Sequence, residues 1–374
     1  MSAACTLPDD GARPSGAPVT PAAAAPMNTH GRSVPSAPRT PSAGEGPESG
    51  PYSPERTAAV RERLRADMRR RPQLGRRARR ALDGIVHALK PDGLEASLPD
   101  RVLLEYDLEG PRAPVAVVAV GDPFTATHVT WMVSGMGIRA ETAMWGAVHE
   151  AGNLWAAQRA AGAPRPVTIA WLGYRAPHAL ATVLDGPART GAAALADHLE
   201  RCWDQLRRTH PGAVPQVHLG LEAHSYGTVV AAHALELLQQ RRQAGAAVPA
   251  LDVLVLSGAI GLPRRLARAP ERMGLDASRI YEASAPHDRL ARLGRLTGRR
   301  LPWAGVRALP VAAGVEEAAD GIALVGAAVS GHDTSRWDPQ AGEDAPRGYR
   351  DPGTVTLAAT ARVTAGLPLP QPSG

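Results

Sequence analysis

Val217-His218-Leu219-Gly220-Leu221-Glu222-Ala223-His224-Ser225-Tyr226-Gly227-Thr228 runs on into Val229-Val230-Ala231-Ala232, and the fold is decided here. An apolar strand enters a small–x–Ser–x–Gly turn and leaves as a helix. That is the setting of a nucleophile elbow, in which a serine occupies a sharp, strained bend and its hydroxyl projects above the sheet. The residues two before and two after must be small, because strand and helix cross closely. Gly227 meets that demand, and Ala223 stands where glycine is usual, one methyl group larger. Ser-x-Gly alone is common. The strand before it and the helix after it make it informative, the alternative being a buried serine in an ordinary strand–helix turn. His224 is expected to pack beside the turn, since its position does not point it at the serine.

Outward from this junction, short β-rich runs alternate with Ala- and Leu-rich helical stretches. Residues 102–108, 115–120, 126–133, 167–172, 217–222, 251–256 and 279–283 are predicted strands, and 141–161, 191–208 and 228–242 predicted helices. Such alternation implies a parallel sheet with helices on both faces. The first two strands, joined through Gly110-Pro111, form a hairpin. The predicted class is α/β: a mostly parallel central sheet, helices on both faces, and a leading antiparallel hairpin. No internal repeat is visible.

The N-terminal part has a different texture. Residues 1–54 are rich in Pro, Ala, Ser and Gly and carry few large apolar groups, so they are expected to be a disordered tail. Residues 55–94 read as a basic helical hairpin. Ser53-Pro54-Glu55 resembles an N-cap followed by proline at the first helical position, Pro72 and Gly75 split the segment, and Ile85, Val86 and Leu89 offer an apolar stripe. Residues 95–374 form the strand–helix domain. The chain carries a net charge of +6, and the stretch from Glu55 to Lys90 alone carries an excess of eight positive charges, so the remainder is close to neutral. A basic face can attract nucleic acid or anionic lipid. No aromatic residues interleave with these charges as a single-strand binder would want, so a solvated hairpin is expected and no nucleic-acid partner.

Cys5 and Cys202 suggest no disulfide framework, and no metal-ligand spacing appears, so neither metal nor cofactor is expected. The start lacks a charged segment followed by an apolar run, and no run of about 18 apolar residues suggests a membrane span. The expected location is the cytoplasm.

A serine hydroxyl is a poor nucleophile without an adjacent base, and the base must be oriented by a further group. In proteins built on such an elbow the order along the chain is Ser, acid, His. Ile280-Tyr281-Glu282-Ala283 leads into Ser284-Ala285-Pro286-His287-Asp288, which puts Asp288 at a strand end, where the acid belongs. A helix N-cap ahead of Arg289-Leu290-Ala291 is an alternative and compatible role. Three histidines follow Ser225: His233 inside the helix after the elbow, His287 abutting the candidate acid, and His332 in Val329-Ser330-Gly331-His332-Asp333. His332 is the base by elimination and by order. Asp333 and Asp320 are weaker alternatives for the acid. The oxyanion donors are read as the N–H groups of Tyr226, after the serine, and of Met136 in Trp131-Met132-Val133-Ser134-Gly135-Met136-Gly137, with Gly137 next. A simple Gly-rich turn is the competing interpretation of that stretch. Trp171, Tyr174 and Pro177 are pocket walls or, preferably, a packed aromatic cluster. Trp145, Trp155 and Trp203 read as core or helix-packing residues.

Val133-Ser134-Gly135-Met136-Gly137, Ala170-Trp171-Leu172-Gly173-Tyr174-Arg175-Ala176-Pro177, Ala223-His224-Ser225-Tyr226-Gly227-Thr228, Ser257-Gly258-Ala259, Asp288 and Gly331-His332 together resemble one branch of the α/β-hydrolases. That branch is abundant in high-GC actinobacteria and catalogued mainly as a domain of unknown function. The resemblance covers about residues 95–368 and implies the α/β-hydrolase fold, with Ser225, Asp288 and His332 as a catalytic triad. Departures are Ala223 in the elbow and Ser257-Gly258-Ala259 where the branch shows Ser-Pro-Gly. The stretch from Gly348-Tyr349-Arg350-Asp351-Pro352-Gly353 to Gly366 also looks familial and is expected to close with a helix.

The function expected is a serine hydrolase, foremost a carboxylic-ester hydrolase acting through an acyl-enzyme on a small-molecule or acyl substrate. No large lid insert is evident between the strands. The alternatives are a catalytically inactive binding or scaffold protein on the same fold, favoured by Ala223 and the altered Ser-Pro-Gly position, and an interaction protein acting through residues 1–90.

Overall fold

The computed structural model describes residues 50, 52–90, 99–111, 113–178, 185–209, 217–296, 305–317, 323–336, 338, 340, 342 and 345–369. The tail expected at residues 1–54, apart from Gly50 and residues 52–54, lies outside the described residues, as do Cys5 and Asp320.

Elements follow in the order α1 (Pro54–Arg69), α2 (Arg76–Ala88), β1 (Arg101–Asp107), β2 (Val115–Val120), β3 (His128–Val133), α3 (Ala140–Ala160), β4 (Pro166–Leu172), α4 (Gly186–Thr209), β5 (His218–His224), α5 (Gly227–Gln243), β6 (Val253–Ser257), α6 (Arg264–Ala267), β7 (Ile280–Ala283), α7 (Arg289–Leu296), β8 (Arg307–Ala308), β9 (Gly314–Glu317), β10 (Ala323–Gly326) and α8 (Val355–Thr364). Eight strands form one sheet in the order β1-β2-β4-β3-β5-β6-β7-β8. β2 runs antiparallel to both β1 and β4, and every later pairing in the sheet is parallel. The predicted α/β class, with its leading hairpin, is the class observed. β9 and β10 form a separate two-stranded hairpin.

The central strands of the sheet are buried on both faces, and the period-two geometry of a strand sorts their side chains between them. In β2, Val117 and Ala119 join one core cluster with residues of α4 and α5, while Ala116, Val118 and Val120 join another with residues of α2, α3 and α8. Burial on both sides explains why β2 reads as an unbroken apolar run.

Ser53 caps α1, its hydroxyl accepting from the Arg56 N–H at 3.2 Å, and the chain breaks around Pro72 and Gly75 as read from the sequence. The α2 stripe needs correction. Ile85 is buried in it, but its neighbours there are Ala78, Ala81, Leu82 and Ala88, with Val86 and Leu89 only partly covered. Small residues carry the stripe because α2 lies against α3, Gly84 approaching the Ala140 carbonyl and the Met144 side chain. Trp145 is a second correction: it is 37% exposed and stacks on His149 at 5.2 Å between ring centroids. Trp155 is partly buried, its indole N–H donating to the Pro166 carbonyl, and Trp203 is partly buried against the larger core. β8, β9 and β10 are too short, and too mixed in composition, to have been read as strands.

Candidate active site

At a topological switch point of an open parallel sheet the loops leaving neighbouring strands diverge and leave a crevice at the carboxyl ends. β3 and β5 are hydrogen-bonded neighbours, while the chain between them detours through β4. The loop after β3 and the turn after β5 therefore meet at that edge, and Ser225 stands on the turn.

Ser225 has φ +55°, the one non-glycine residue with positive φ among the described residues. A side chain in the left-handed region is strained and persists only where surroundings over-determine it. Here the Ser225 N–H donates to the Ser257 carbonyl at 3.0 Å, and its own carbonyl accepts from the Thr228 N–H at 3.1 Å and the Thr228 hydroxyl at 2.6 Å. α5 then starts hard against β3. A Cβ on Gly227 would stand 2.5 Å from the Val133 carbonyl oxygen and 2.9 Å from that of Ser134. Ala223, fully buried in β5, is accommodated between β3 and β6.

The structure brings together the three residues singled out by chain order. Ser225 Oγ lies 2.8 Å from His332 Nε2, and His332 Nδ1 lies 2.8 and 2.9 Å from the two oxygens of Asp288. The carboxylate can only accept, so Nδ1 carries the proton and Nε2 presents its lone pair to the serine hydroxyl. Asp288 follows β7 and also caps α7, accepting from the Ala291 N–H at 2.8 Å. The strand-end position and the helix cap read for Asp288 thus coexist. Burial opposes its ionisation, but hydrogen bonds from His332, the Ala291 N–H and the Tyr349 hydroxyl outweigh that and hold its carboxyl below the usual range.

Sequence reasoning missed the groups that hold this relay. Three consecutive residues of the segment before α8 each grip a different part of it. The Tyr349 hydroxyl donates to Asp288 Oδ2 at 3.0 Å and accepts from the Ala285 N–H at 2.8 Å. Arg350, buried, donates to Glu222 at 2.5 Å, three residues before the serine, and to Glu150 of α3 at 2.7 Å. The remaining oxygens of those carboxylates accept from the Ser257 and Thr334 hydroxyls. Asp351 accepts from the N–H groups of Gly348 and Arg336 and from the Ser335 hydroxyl, fastening the loop that carries His332. His224 completes the support. Burial, with His332 and Arg350 beside it, pushes its pKa well down, so the ring is neutral and its Nε2–H donates to the His332 carbonyl at 2.7 Å. It packs beside the turn as expected, with a defined task there. The one sequence signal for this support was the familial look of residues 348–353, which carried no assignment of roles.

The loop after β3 lies directly over the serine. A Cβ on Gly135 would stand 2.7 Å from Ser225 Cβ and 3.2 Å from its Oγ. Tyr226 is the N-cap of α5, so its N–H lies at the positive end of that helix. No hydrogen bond to a described residue engages the Met136 N–H. The Gly137 N–H, read as the next candidate, donates instead to the Pro177 carbonyl at 3.1 Å and props the loop. Trp171 and Tyr174 are buried and stacked at 5.7 Å, and the Tyr174 hydroxyl donates to the Ser134 carbonyl. They are the packed cluster, sitting beneath the loop. Of the other candidates, His233 is buried in α5 near Arg265 and Glu236, His287 is exposed, and Asp333 pairs with Arg336 at the surface. Among the described residues no group of three or more His, Cys, Asp or Glu side chains is arranged to hold a metal ion, and no helix is long and apolar enough to cross a membrane.

No curated protein matches the chain. Among solved structures it is similar to the feruloyl esterase module from Clostridium thermocellum complexed with sinapinate, at 13% identity and a TM-score of 0.36 over 56% of this chain and 74% of that one. An ester-hydrolase from the metagenome of Lake Arreo gives 15% identity and a TM-score of 0.33 over 68% of this chain and 87% of that one. An esterase from Pyrobaculum calidifontis gives 16% identity and a TM-score of 0.31 over 67% and 82%. A family profile described as alpha/beta hydrolase matches residues 110–298, half of the chain, from the β1–β2 turn through Ser225 to the end of α7. With that match, the chain belongs to the alpha/beta hydrolase family.

Proposed function

We propose that the protein is a serine hydrolase that cleaves carboxylic esters through an acyl-enzyme on Ser225, with His332 as general base and acid and Asp288 as the group that orients it. The observation carrying this reading is the continuous hydrogen-bonded relay from Ser225 Oγ through the imidazole to a buried carboxylate. His332 Nε2 takes the hydroxyl proton as Oγ bonds to the ester carbonyl carbon, and Asp288 stabilises the imidazolium that forms. The oxyanion is met by the N–H groups of Tyr226 and Met136, aided by the dipole of α5. The intermediate collapses, the alcohol leaves with the proton from His332, and a water activated by the same nitrogen releases the acid and frees the serine.

The relay weighs against the scaffold alternative, since a fold retained for binding has no need of a strained serine aligned with an imidazole. The basic hairpin keeps most of its charge excess, since among the described residues only Glu109 and Glu141, of the carboxylates paired with it, lie outside residues 55–90. Arg65, Arg70, Arg71 and Arg77 are each bonded to a carboxylate. Covalent labelling of the full chain by a fluorophosphonate, with turnover of p-nitrophenyl esters, tests the proposal. Both signals are expected and both are lost in Ser225→Ala. A folded protein that neither labels nor turns over esters rejects it.

A further inference from the structure

α7 is built the wrong way round for a surface helix. Helices on a soluble domain turn large apolar residues inward and polar ones outward. Two inward positions of α7 are small: Ala291 is fully buried, and a Cβ on Gly294 would stand 2.5 Å from Ile260 Cβ, so the helix presses onto the loop after β6. Leu290 and Leu293 point out. Leu290 is 44% exposed and Leu293 is 61% exposed, and one helical step apart they form a single apolar spot. Arg289 and Arg292 are exposed beside them, and neither has a carboxylate within ion-pair distance among the described residues. Arg295, on the covered side, is by contrast bonded to Ser284 and Glu282. The helix starts at Asp288, whose carboxylate is bonded to His332, so the first turn of α7 lies next to the site.

Outward leucines flanked by unpaired arginines are the signature of a surface seated in a lipid–water interface, the leucines entering the acyl region and the guanidinium groups meeting headgroup phosphates. We infer that the outer face of α7, Leu290 and Leu293 with Arg289 and Arg292, docks the protein on an anionic lipid surface and presents the Ser225 crevice to acyl esters held there. The docking stands on the geometry of α7 alone; the substrate class rests also on the serine-hydrolase reading. The occupant is a lipid surface because the spot is small and rimmed by like charges, so a second copy of this face would bring four arginines together.

The test is co-sedimentation of the full chain with vesicles of phosphatidylcholine, alone or mixed with phosphatidylglycerol, at physiological ionic strength. The protein is expected to pellet with the anionic vesicles and to remain in solution with neutral ones. Each arginine near an anionic surface contributes about fivefold in partitioning, so Arg289→Gln/Arg292→Gln weakens binding about 25-fold. Leu290→Ser/Leu293→Ser weakens it about tenfold or more. Turnover of a soluble short-chain p-nitrophenyl ester stays unchanged in both variants. Equal partitioning of parent and leucine variant, equal binding to neutral vesicles, or no binding overturns the inference. So does a concentration-dependent dimer that the leucine variant abolishes, which would assign the face to a second copy. Vesicle binding without any esterase activity would sink the catalytic proposal and leave the docking intact.

Discussion

Replacing Tyr349 with phenylalanine removes one oxygen and nothing else, at a site where two hydrogen bonds depend on it. The hydroxyl donates to Asp288 Oδ2 at 3.0 Å and accepts from the Ala285 N–H at 2.8 Å, and Tyr349 is 2% exposed. No water can replace that oxygen without opening the core. A hydrogen bond to a charged acceptor contributes roughly 1.5–3 kcal/mol, and a buried N–H left unpaired costs roughly 1–3 kcal/mol. Tyr349→Phe is therefore expected to lower unfolding free energy by about 3 kcal/mol. Catalysis should suffer less, because Asp288 keeps its bonds to His332 and to the Ala291 N–H. A loss of alignment corresponding to about 1.4 kcal/mol in the transition state appears as a tenfold fall in kcat/KM. The assay is hydrolysis of a soluble p-nitrophenyl ester by the parent, Tyr349→Phe, Asp288→Asn and the double variant, beside denaturant unfolding of each. If Tyr349 acts through the carboxylate, its tenfold effect disappears in the Asp288→Asn background, where the single change has already lowered kcat by about four orders of magnitude. The same tenfold fall in both backgrounds would refute the reasoning and leave Tyr349 a packing residue.

Ser225→Gly should abolish esterase activity and raise stability by about 1 kcal/mol, since φ +55° costs glycine nothing; a chemical melt no more stable than the parent's would show that the bend is unstrained. Arg350→Met leaves Glu150 and Glu222 as buried carboxylates without a counter-charge, and a loss of about 3–5 kcal/mol is expected in denaturant unfolding. Asp288 and Asp67 both have folded pKa values below the usual carboxylate value. At Asp67 burial works the other way but is outweighed by hydrogen bonds from Arg70 and Tyr106. A depressed folded pKa contributes stability that is complete above the unfolded value near 4 and is lost as pH falls through the folded value. Burial also holds His224 well below its ordinary value near 6.5, so unfolding free energy should begin to fall below about pH 6.5 and fall further below pH 4, and a curve rising on acidification would contradict these assignments.

What the sequence disclosed, and what it hid, follows the range of the interactions concerned. The strand, bend and helix around Ser225 are local, so their order was legible from a dozen residues, and the same holds for Asp288 after β7 and for the alternation that defines the sheet. His332 was found by elimination, because only three histidines follow the serine. Its supports were not legible. Tyr349 reaches back 61 positions to Asp288, and Arg350 reaches back 128 to Glu222 and 200 to Glu150. Nothing in a tyrosine, an arginine or an aspartate marks which carboxylate or loop lies across the fold. Trp145 and the α2 stripe failed for a related reason. An apolar residue on a helix declares a preference for burial, but which face is covered depends on the partner helix, and alanines and Gly84 let α2 approach α3 where larger residues would have held it off.

The position of these supports bears on why the chain extends well past the family-matched residues 110–298. The matched segment holds Ser225, Asp288 and both loops read as oxyanion donors, whereas His332 lies beyond it. His332 is on a loop whose backbone is laced to residues 347–351 by N–H···O bonds from Ser330, Tyr349 and Arg350, and α8 then pins that segment to the sheet. A buried arginine between two carboxylates is a poor source of stability, because desolvating three charges costs about as much as their attraction returns. Its value lies in direction. Arg350 can satisfy Glu150 and Glu222 together only in one position, and the backbone on either side of it is then committed: Tyr349 against Asp288 and Asp351 against the loop that carries His332. Where imidazole and hydroxyl meet within a few tenths of an ångström across 107 residues of chain, such a fixed point converts charge that is neutral for folding into the geometry that the proposed proton transfer needs.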